Sequence, residues 1–156
     1  EEKELLGSKY YSDHPIFPLA NTIANINIDM IGRIDYEHNK DTKDFLYVIG
    51  SNMLSTDLYN AVKKANQDLG INLDYRYDDP NDPNRFYYRS DHYNFAKHNV
   101  PSVFFFNGVH DDYHQPGDTP DKIEYDLLKR RTQLTFNTAW ILANAENRPV
   151  VDKATK

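Results

Sequence analysis

The sequence predicts an α/β fold of three layers, in which a mostly parallel sheet lies between helices on both faces. Three apolar runs have the length and the β-branched or aromatic character of buried strands, at 23–31, 45–49 and 103–106. Two longer segments, 55–69 and 124–146, carry apolar residues at helical spacing. Strands that alternate with amphipathic helices are typical of a parallel sheet with both faces covered.

The ends of the helices follow from local chemistry. The first helix is predicted over residues 2–11, where apolar side chains recur near helical spacing. It ends before His14, because a residue that precedes proline avoids the helical region. The helix at 55–69 starts with residues that can cap it and is stopped by Gly70.

The rest of the chain carries shorter signals. They predict a strand at 72–77, a turn-rich stretch at 78–84 and a short helix at 91–99. The loop at 108–122 is too long for a simple connector, which indicates a functional segment. We expect one domain over residues 1–147, followed by a polar tail at 148–156.

Composition excludes several classes of protein. The chain has 156 residues, and its 18 Lys and Arg against 24 Asp and Glu give a formal charge of −6. That balance argues against a nucleic-acid partner, which requires a basic surface. With no cysteine, the chain has no disulfide, no thiolate zinc site and no cysteine nucleophile. Because no apolar run approaches the ~18 residues that a membrane span needs, no membrane partner is predicted.

Acidic and histidine residues concentrate where the predicted strands end. Asp29 comes at the end of the first strand, the segment 110–114 follows the strand at 103–106, and Glu1 and Glu2 start the first helix. Ligands of open α/β sheets bind beyond the carboxyl ends of the strands. Carboxylate and imidazole groups without thiolates suit zinc or a related divalent ion, and they leave positions open for water. An aspartate within an isoleucine-rich strand is also costly to bury unless a cation or several donors face it.

Each of these residues has a plainer interpretation when taken alone. Glutamates at a helix start favour the helix dipole, an aspartate at a strand end favours a turn, and a histidine in an acidic loop is commonly solvated. The combination is more specific than its members, because five motifs occur in a fixed order. They are Glu1-Glu2 with Leu5-Leu6-Gly7-Ser8, Asn27-Ile28-Asp29-Met30-Ile31-Gly32, Arg89-Ser90-Asp91-His92 through Phe95, Val100-Pro101, and Asp112-Tyr113-His114 with Asp118-Thr119-Pro120-Asp121-Lys122-Ile123.

In the order and spacing of these motifs the chain resembles the carboxyl-terminal half of the M28 family of zinc aminopeptidases, from residue 1 to about 147. The resemblance implies that Glu1 is the general base and that Glu2 and His114 bind one zinc ion. It implies that Asp29 binds a second zinc ion and that the Tyr113 hydroxyl stabilises the oxyanion. Two zinc ions would lower the pKa of a water and polarise the scissile carbonyl of a peptide substrate, and Glu1 would move the proton to the leaving amine.

The resemblance also implies what this chain does not contain. Enzymes of this family use a further His and a bridging Asp that precede the Glu-Glu pair, so the chain holds three of five expected ligands. We therefore expect the sheet to lack its amino-terminal strands and the chain on its own to be inactive and to hold zinc weakly. An upstream segment or an oligomer is predicted to cover the open sheet edge. Since bacterial relatives are commonly exported, a secreted or periplasmic location is expected.

Two further groups have open interpretations. Arg89, Ser90, Asp91 and His92 are predicted to support the site or to line a substrate pocket, with Asp91 able to cap the following helix and His92 hydrogen-bonded beneath the site. The acidic cluster at 78–82 offers oxygen ligands for calcium, although it lacks the regular spacing of an EF-hand.

Two alternative functions remain at this point. A glutaminyl-cyclase-like acyltransferase would have a similar fold and a single zinc ion, but a tryptophan precedes its ligand histidine where this chain has Tyr113. A non-catalytic binding module of the same fold would tend to have lost its metal ligands. Here Glu1, Glu2, Asp29 and His114 are all present.

Overall fold

The computed structural model describes residues 4–38 and 41–153. In those ranges the helices and strands follow in the order α1 (Leu6–Asp13), β1 (Asn25–Ile28), β2 (Phe45–Ile49), α2 (Thr56–Ala65), β3 (Asn72–Asp74), α3 (His92–Ala96), β4 (Ser102–Phe106) and α4 (Tyr125–Ala143). Short 3-10 turns occupy Leu19–Asn21, Phe86–Tyr88 and Pro120–Lys122. None of the helices in the described ranges combines the length and the apolarity that a membrane crossing requires.

The described strands form one sheet in the order β1-β4-β2-β3. The pairs β1–β4 and β2–β3 are parallel, whereas β2 and β4 run antiparallel with Tyr47 opposite Phe106. The prediction of a mostly parallel sheet is confirmed. Because β1 and β4 are parallel, their carboxyl ends meet at one end of the sheet, which we call the Asp29 end. The opposite end, where β2 finishes, is called the tyrosine end after the tyrosines of its cavity.

Helices cover both faces of the sheet, as the three-layer prediction requires. On one face, α2 and α4 pack through Leu58, Val62 and Leu134 against the side chains of β2 and β4. On the other face, α3 and the 3-10 turn before it pack against the alternate side chains of the same strands. Every residue of β2 and β4 is buried. Each large apolar side chain so buried contributes about 1.5–3 kcal/mol to folding.

Strand β1 differs from its prediction. It covers Asn25–Ile28 only, and Ile23 and Ile28 are 36% and 48% exposed, so the expectation of a fully buried strand at 23–31 is wrong. The physical reason is position, because β1 pairs with β4 alone and lies at the edge of the described sheet. Asp29 consequently follows the strand and is exposed, rather than carrying a charge into an apolar layer.

Helix boundaries also shift. Helix α1 begins at Leu6, and Glu4 before it has a left-handed backbone with φ of +68°. The predicted start of this helix, at residue 2, lies outside the described residues. Glu1 and Glu2 lie outside the described residues. The cap of α2 is confirmed, because Ser55 Oγ accepts a hydrogen bond from the Leu58 amide at 3.3 Å. The cap predicted for Asp91 is wrong, since its side chain makes no capping hydrogen bond to α3.

A buried arginine anchors the segment that leads from β1 to β2. Arg131 of α4 is fully buried, and its guanidinium donates to the backbone oxygens of Ile31, Arg33, Lys43 and Phe45. Burial lowers the pKa of Arg131 to about 10. Buried carbonyls need such donors, so one side chain of α4 fixes the path of the chain immediately beyond Asp29.

Candidate functional site

A small cavity of about 50 Å³ lies at the Asp29 end. Four of the predicted site residues contribute to its wall, namely Asp29, Arg89, Ser90 and Tyr113. The other lining residues are apolar: Met30, Phe86, Phe104, Phe106 and Val109. Folding thus brings the strand end, the 3-10 turn with the residues after it, and the long loop to one place. A carboxylate, a hydroxyl, a phenol and a guanidinium share an apolar recess there.

The Asp29 carboxylate is held by a chain of two hydrogen bonds. Asn27 Nδ2 donates to Ser90 Oγ at 2.7 Å, and Ser90 Oγ donates to Asp29 Oδ2 at 3.0 Å. Ser90 is buried with 3% of its surface exposed, so this link is shielded from water. An oriented carboxylate that is itself hydrogen-bonded has the geometry of a metal ligand. Asn27 was not predicted as a site residue, although it lies two residues before Asp29 and therefore on the same side of the strand.

Two non-glycine residues beside the cavity have left-handed backbones. Met30, which directly follows Asp29, has φ of +59°, and His114, which directly follows Tyr113, has φ of +56°. A residue with a side chain adopts this conformation at a cost of order 1 kcal/mol, and such residues cluster at functional sites. One left-handed residue therefore directly follows the predicted ligand Asp29, and the other is the predicted ligand His114 itself.

His114 lies beside the cavity rather than in its wall. Its ring stacks on that of Tyr113, with the centroids 3.9 Å apart, and the residue is exposed. An exposed imidazole and an oriented carboxylate are the donor types that catalytic zinc prefers, so the residues present fit that metal.

Charged residues of the long loop form a second group near the site. Ligand atoms of His110, Asp112 and Asp118 lie within 4.8 Å of one another. The two carboxylates are already bonded to cations, because Arg33 donates to both at 2.8 Å and Lys122 donates to Asp112 at 2.6 Å. These bonds hold the pKa of Asp112 below its usual range. The group is therefore an ion-pair network, and it does not coincide with the predicted ligands.

His92 and Asp91 do not line the cavity. His92 is fully buried in α3, where its ring stacks on Phe104 at 4.9 Å and meets the edge of Tyr87 at 5.4 Å. Burial lowers the pKa of His92 to about 3, since a charged imidazole would lose its hydration there. His92 thus contacts Phe104 of the cavity wall, but the hydrogen bond predicted for it is not formed, because neither ring nitrogen has a partner within residues 4–38 and 41–153. Its supporting role stays a prediction.

The acidic cluster at 78–82 stabilises turns. Asp78 accepts hydrogen bonds from Gly50, Ser51 and Asn52, whereas Asp79 and Asp82 each accept bonds from backbone amides of their own loop. The three carboxylates serve separate donors and do not converge. The metal-type cluster found within 4–38 and 41–153 involves other residues, so nothing here supports calcium.

The sequence pattern of Peptidase family M28 matches residues 1–139. That range contains all the residues predicted to bind metal or to take part in catalysis. A search among curated proteins finds no match.

Solved structures of aminopeptidases have a similar fold. The zinc aminopeptidase BSAP from Bacillus subtilis is 22% identical with a TM-score of 0.64, and it covers 97% of this chain. The aminopeptidase from Aneurinibacillus sp. strain AM-1 is 22% identical with a TM-score of 0.63 over 99% of this chain. The LapA aminopeptidase of Legionella pneumophila is 18% identical with a TM-score of 0.66 over 92% of it. The chain covers 34%, 34% and 37% of those three structures, about a third of each.

Proposed function

Because this chain belongs to peptidase family M28, we propose that it forms the carboxyl-terminal part of the catalytic domain of a zinc aminopeptidase. The observation that carries the proposal is the convergence of Asp29, Ser90 and Tyr113 on one cavity, with His114 stacked beside it. Asp29 and Ser90 are 61 positions apart in the sequence, and the residues of the group come from different elements of the fold. Their meeting is therefore a property of the tertiary structure.

The metal ligands of this proposal are Glu2, Asp29 and His114, with Glu2 and His114 on one zinc ion and Asp29 on the other. Zinc supplies a lowered pKa for the attacking water and a polarised substrate carbonyl. Ser90 keeps the Asp29 carboxylate in a single orientation through its 3.0 Å hydrogen bond. The two remaining ligands of the family, a His and a bridging Asp, come from a segment upstream of Glu1.

The catalytic residues of this proposal are Glu1 and Tyr113. The Glu1 carboxylate takes a proton from the attacking water and passes it to the leaving amine, as a general base and then a general acid. The Tyr113 hydroxyl donates a hydrogen bond to the oxygen on which negative charge develops. The apolar wall of the cavity, which includes Met30, Phe86 and Val109, excludes water and accepts part of the peptide substrate.

The outer edge of β1 supports a role for the upstream segment. β1 has a neighbour on one side only in the described sheet, and Ile28 is 48% exposed there. A strand with unpaired amides and carbonyls is a template for another strand. We infer that a strand of the upstream segment pairs with β1 and thereby brings the two remaining ligands to Asp29.

Hydrolysis of aminoacyl p-nitroanilides tests this function. A protein that contains this chain together with its upstream segment should release p-nitroaniline. The activity should disappear with a chelator and return with zinc. Cyclisation of peptides with an amino-terminal glutamine, with the anilides left intact, would establish the cyclase alternative instead. Zinc-independent peptide binding without turnover would identify a binding module.

A further inference from the structure

We propose that Arg33 is a positioning residue, which holds the segment of Asp29 and the turn of Tyr113 and His114 at a fixed distance from each other. The inference rests on the proposed function for its catalytic meaning, but its structural half is independent of that function. Arg33 lies four residues after Asp29, and it contacts the loop on both sides of the Tyr113-His114 pair.

The contacts of Arg33 span the turn. Its Nη2 donates to Asp112 Oδ2 at 2.8 Å and its Nη1 donates to Asp118 Oδ1 at 2.8 Å. Asp112 immediately precedes Tyr113, and Asp118 comes four residues after His114. One guanidinium therefore ties together the two sides of the loop that presents the predicted ligand and the predicted oxyanion donor. The planar fork of arginine suits this bridging role, which a lysine ammonium cannot reproduce.

The base of Arg33 is anchored in the core. The carbonyls of Ile31 and Arg33 accept hydrogen bonds from the buried Arg131 guanidinium at 2.7 and 2.8 Å, and the Gly32 carbonyl accepts one from the Glu124 amide at 2.9 Å. Three consecutive carbonyls are thus bonded to Arg131 of α4 or to Glu124, the residue that precedes this helix. Because this backbone is held by a buried side chain, the Arg33 guanidinium extends from a rigid base.

The loop needs such a cation. Residues 107–122 contain four aspartates, at 111, 112, 118 and 121, and one lysine. Like charges this close repel each other and would drive the loop open. Arg33 and Lys122 bind the two different oxygens of Asp112, at 2.8 and 2.6 Å. The side chains of Arg33 and Asp112 are both 20% exposed, so salt screens this ion pair less than it screens a fully exposed one.

Fixing Asp112 also fixes the turn that follows it. The Gln115 amide donates to the Asp112 carbonyl at 2.9 Å, which closes a turn around Tyr113 and His114. His114 has φ of +56° within that turn. A left-handed backbone at a residue with a side chain persists only when its surroundings determine it, and the Arg33 bonds supply that constraint.

The test uses the protein that contains this chain together with its upstream segment. It compares the variants Arg33→Met and Arg33→Lys with Arg130→Met. Arg130 is the control, because its guanidinium also donates two bonds to carboxylate oxygens, but both belong to Asp44, at 3.2 and 2.9 Å, which lies outside the loop. The readouts are zinc affinity by competition with a chromophoric chelator, amide hydrogen exchange over residues 110–118, anilide hydrolysis and the thermal midpoint. Arg33→Met should weaken zinc binding 10–100-fold, as loss of a supporting partner does. It should also speed exchange in the loop.

Arg33→Lys should have an intermediate effect, because it keeps the charge and loses the fork. Arg130→Met should leave zinc affinity and loop exchange unchanged while lowering the thermal midpoint about as much as Arg33→Met. Zinc affinity within twofold of the parent and unchanged loop exchange in Arg33→Met would overturn the proposal. If the parent neither binds zinc nor cleaves anilides, the proposed function fails, and the exchange rates alone still decide whether Arg33 holds the loop. If Arg33→Met does not fold, the same criteria apply to Arg33→Lys.

Discussion

The larger of the cavities at the two ends of the sheet lies at the tyrosine end, whereas the predicted site residues lie at the Asp29 end. The tyrosine end has a cavity of about 570 Å³, lined by Tyr87, Tyr88 and Tyr93 together with residues that follow β2. The Asp29 end has a cavity of about 50 Å³. The motifs shared with peptidase family M28 nevertheless converge on the smaller one. A third cavity, of about 660 Å³, is larger than both and is lined by residues of α2, of α4 and of the segment after α4. Cavity size alone would therefore not have selected the predicted site.

The aspartates at the two ends, Asp78 and Asp29, differ in their hydrogen-bond partners and in their exposure to solvent. At the tyrosine end, the Asp78 carboxylate accepts bonds from the Gly50 amide, the Ser51 hydroxyl and the Asn52 amide, at 2.8, 3.1 and 3.2 Å. Burial raises the pKa of Asp78. Asp29 is exposed and is oriented by the Ser90 hydroxyl. A carboxylate that accepts hydrogen bonds from several local backbone amides closes a turn, whereas an exposed carboxylate that a hydroxyl orients has the geometry of a metal ligand.

Left-handed backbone occurs at both ends of the sheet. The chain needs a left-handed residue directly after β2, and there it uses Gly50 with φ of +85°. A Cβ at that position would lie 2.9 Å from the Ser102 carbonyl oxygen, so only glycine fits. At the Asp29 end, Met30 and His114 adopt left-handed conformations despite their side chains. Arg85 and Asn99, which line neither cavity, are also left-handed, so a left-handed backbone at a residue with a side chain does not by itself mark the predicted site.

The largest expected effect is on Glu1. Glu1→Gln should reduce turnover of the zinc-loaded protein by ~10²–10⁴, because the amide keeps the shape of the side chain but cannot take a proton. Zinc content, measured by atomic absorption, should stay at the parent level. More than about a tenth of the parental rate in this variant would exclude Glu1 as the base. It would also indicate that an acid of the loop at 108–122 acts as the base instead.

Much of the fold was predictable because its signals are local. The buried strands β2 and β4 are continuous apolar runs, and α2 has a cap and an apolar face. The predicted end of α2 at Gly70 is wrong, because the helix ends at Ala65 with Asn66 as its C-cap. The antiparallel pairing of β2 with β4 was not predicted, since strand order is decided by packing across the whole chain. The shortness of β1 was missed for a similar reason, because a sequence does not reveal which strand is at the edge.

The candidate site was predictable only where a motif carries it. Asp29, Ser90 and Tyr113 belong to motifs that name them, and the structure brings these three together. Arg33 was missed, because its partners Asp112 and Asp118 lie 79 and 85 residues away. A basic residue four positions after a candidate ligand, in a chain with one highly acidic loop, was the available signal. Glu1 and Glu2 lie outside the described residues, and their roles stay predictions.

A pair of tyrosine variants compares the two ends directly. Tyr113→Phe removes the hydroxyl assigned to the oxyanion and should lower kcat ~10²–10³-fold with little change in KM. Tyr88→Phe removes a hydroxyl from the larger cavity and should leave both constants within about twofold, as expected for a group outside the transition state. Steady-state anilide hydrolysis measures both. Equal losses in the two variants would show that the ends do not differ in catalytic importance.

A pair of serine variants compares the two carboxylates. Ser90→Ala should weaken zinc affinity 10–100-fold, because Asp29 loses the donor that orients it. Ser51→Ala removes a similar bond to Asp78 but leaves two backbone donors in place, so zinc affinity should not change. Chelator competition gives both values. A parental zinc affinity for Ser90→Ala would mean that Asp29 is oriented by other contacts or does not bind the metal.

The smallest expected effect concerns His92, which packs between the two ends against Tyr87 of the larger cavity and Phe104 of the smaller one. Burial lowers its pKa from 6.5 to about 3. Between these values the unfolded chain binds a proton that the folded chain does not. The free energy of unfolding must therefore fall as the pH drops below 6.5. From pH 7 to pH 5.5 this one group should remove about 1.3 kcal/mol.

His92→Phe isolates that contribution, because the ring can still stack on Phe104 but cannot be protonated. Urea unfolding at pH 7 and pH 5.5 should show that the variant loses about 1.3 kcal/mol less than the parent over this interval. All other titrating groups are shared by the two proteins, so their contributions cancel in the difference. The same loss in both proteins would mean that His92 is protonated in the fold. In that case His92 contributes nothing to the loss of stability in acid, and that loss comes from the other titrating groups.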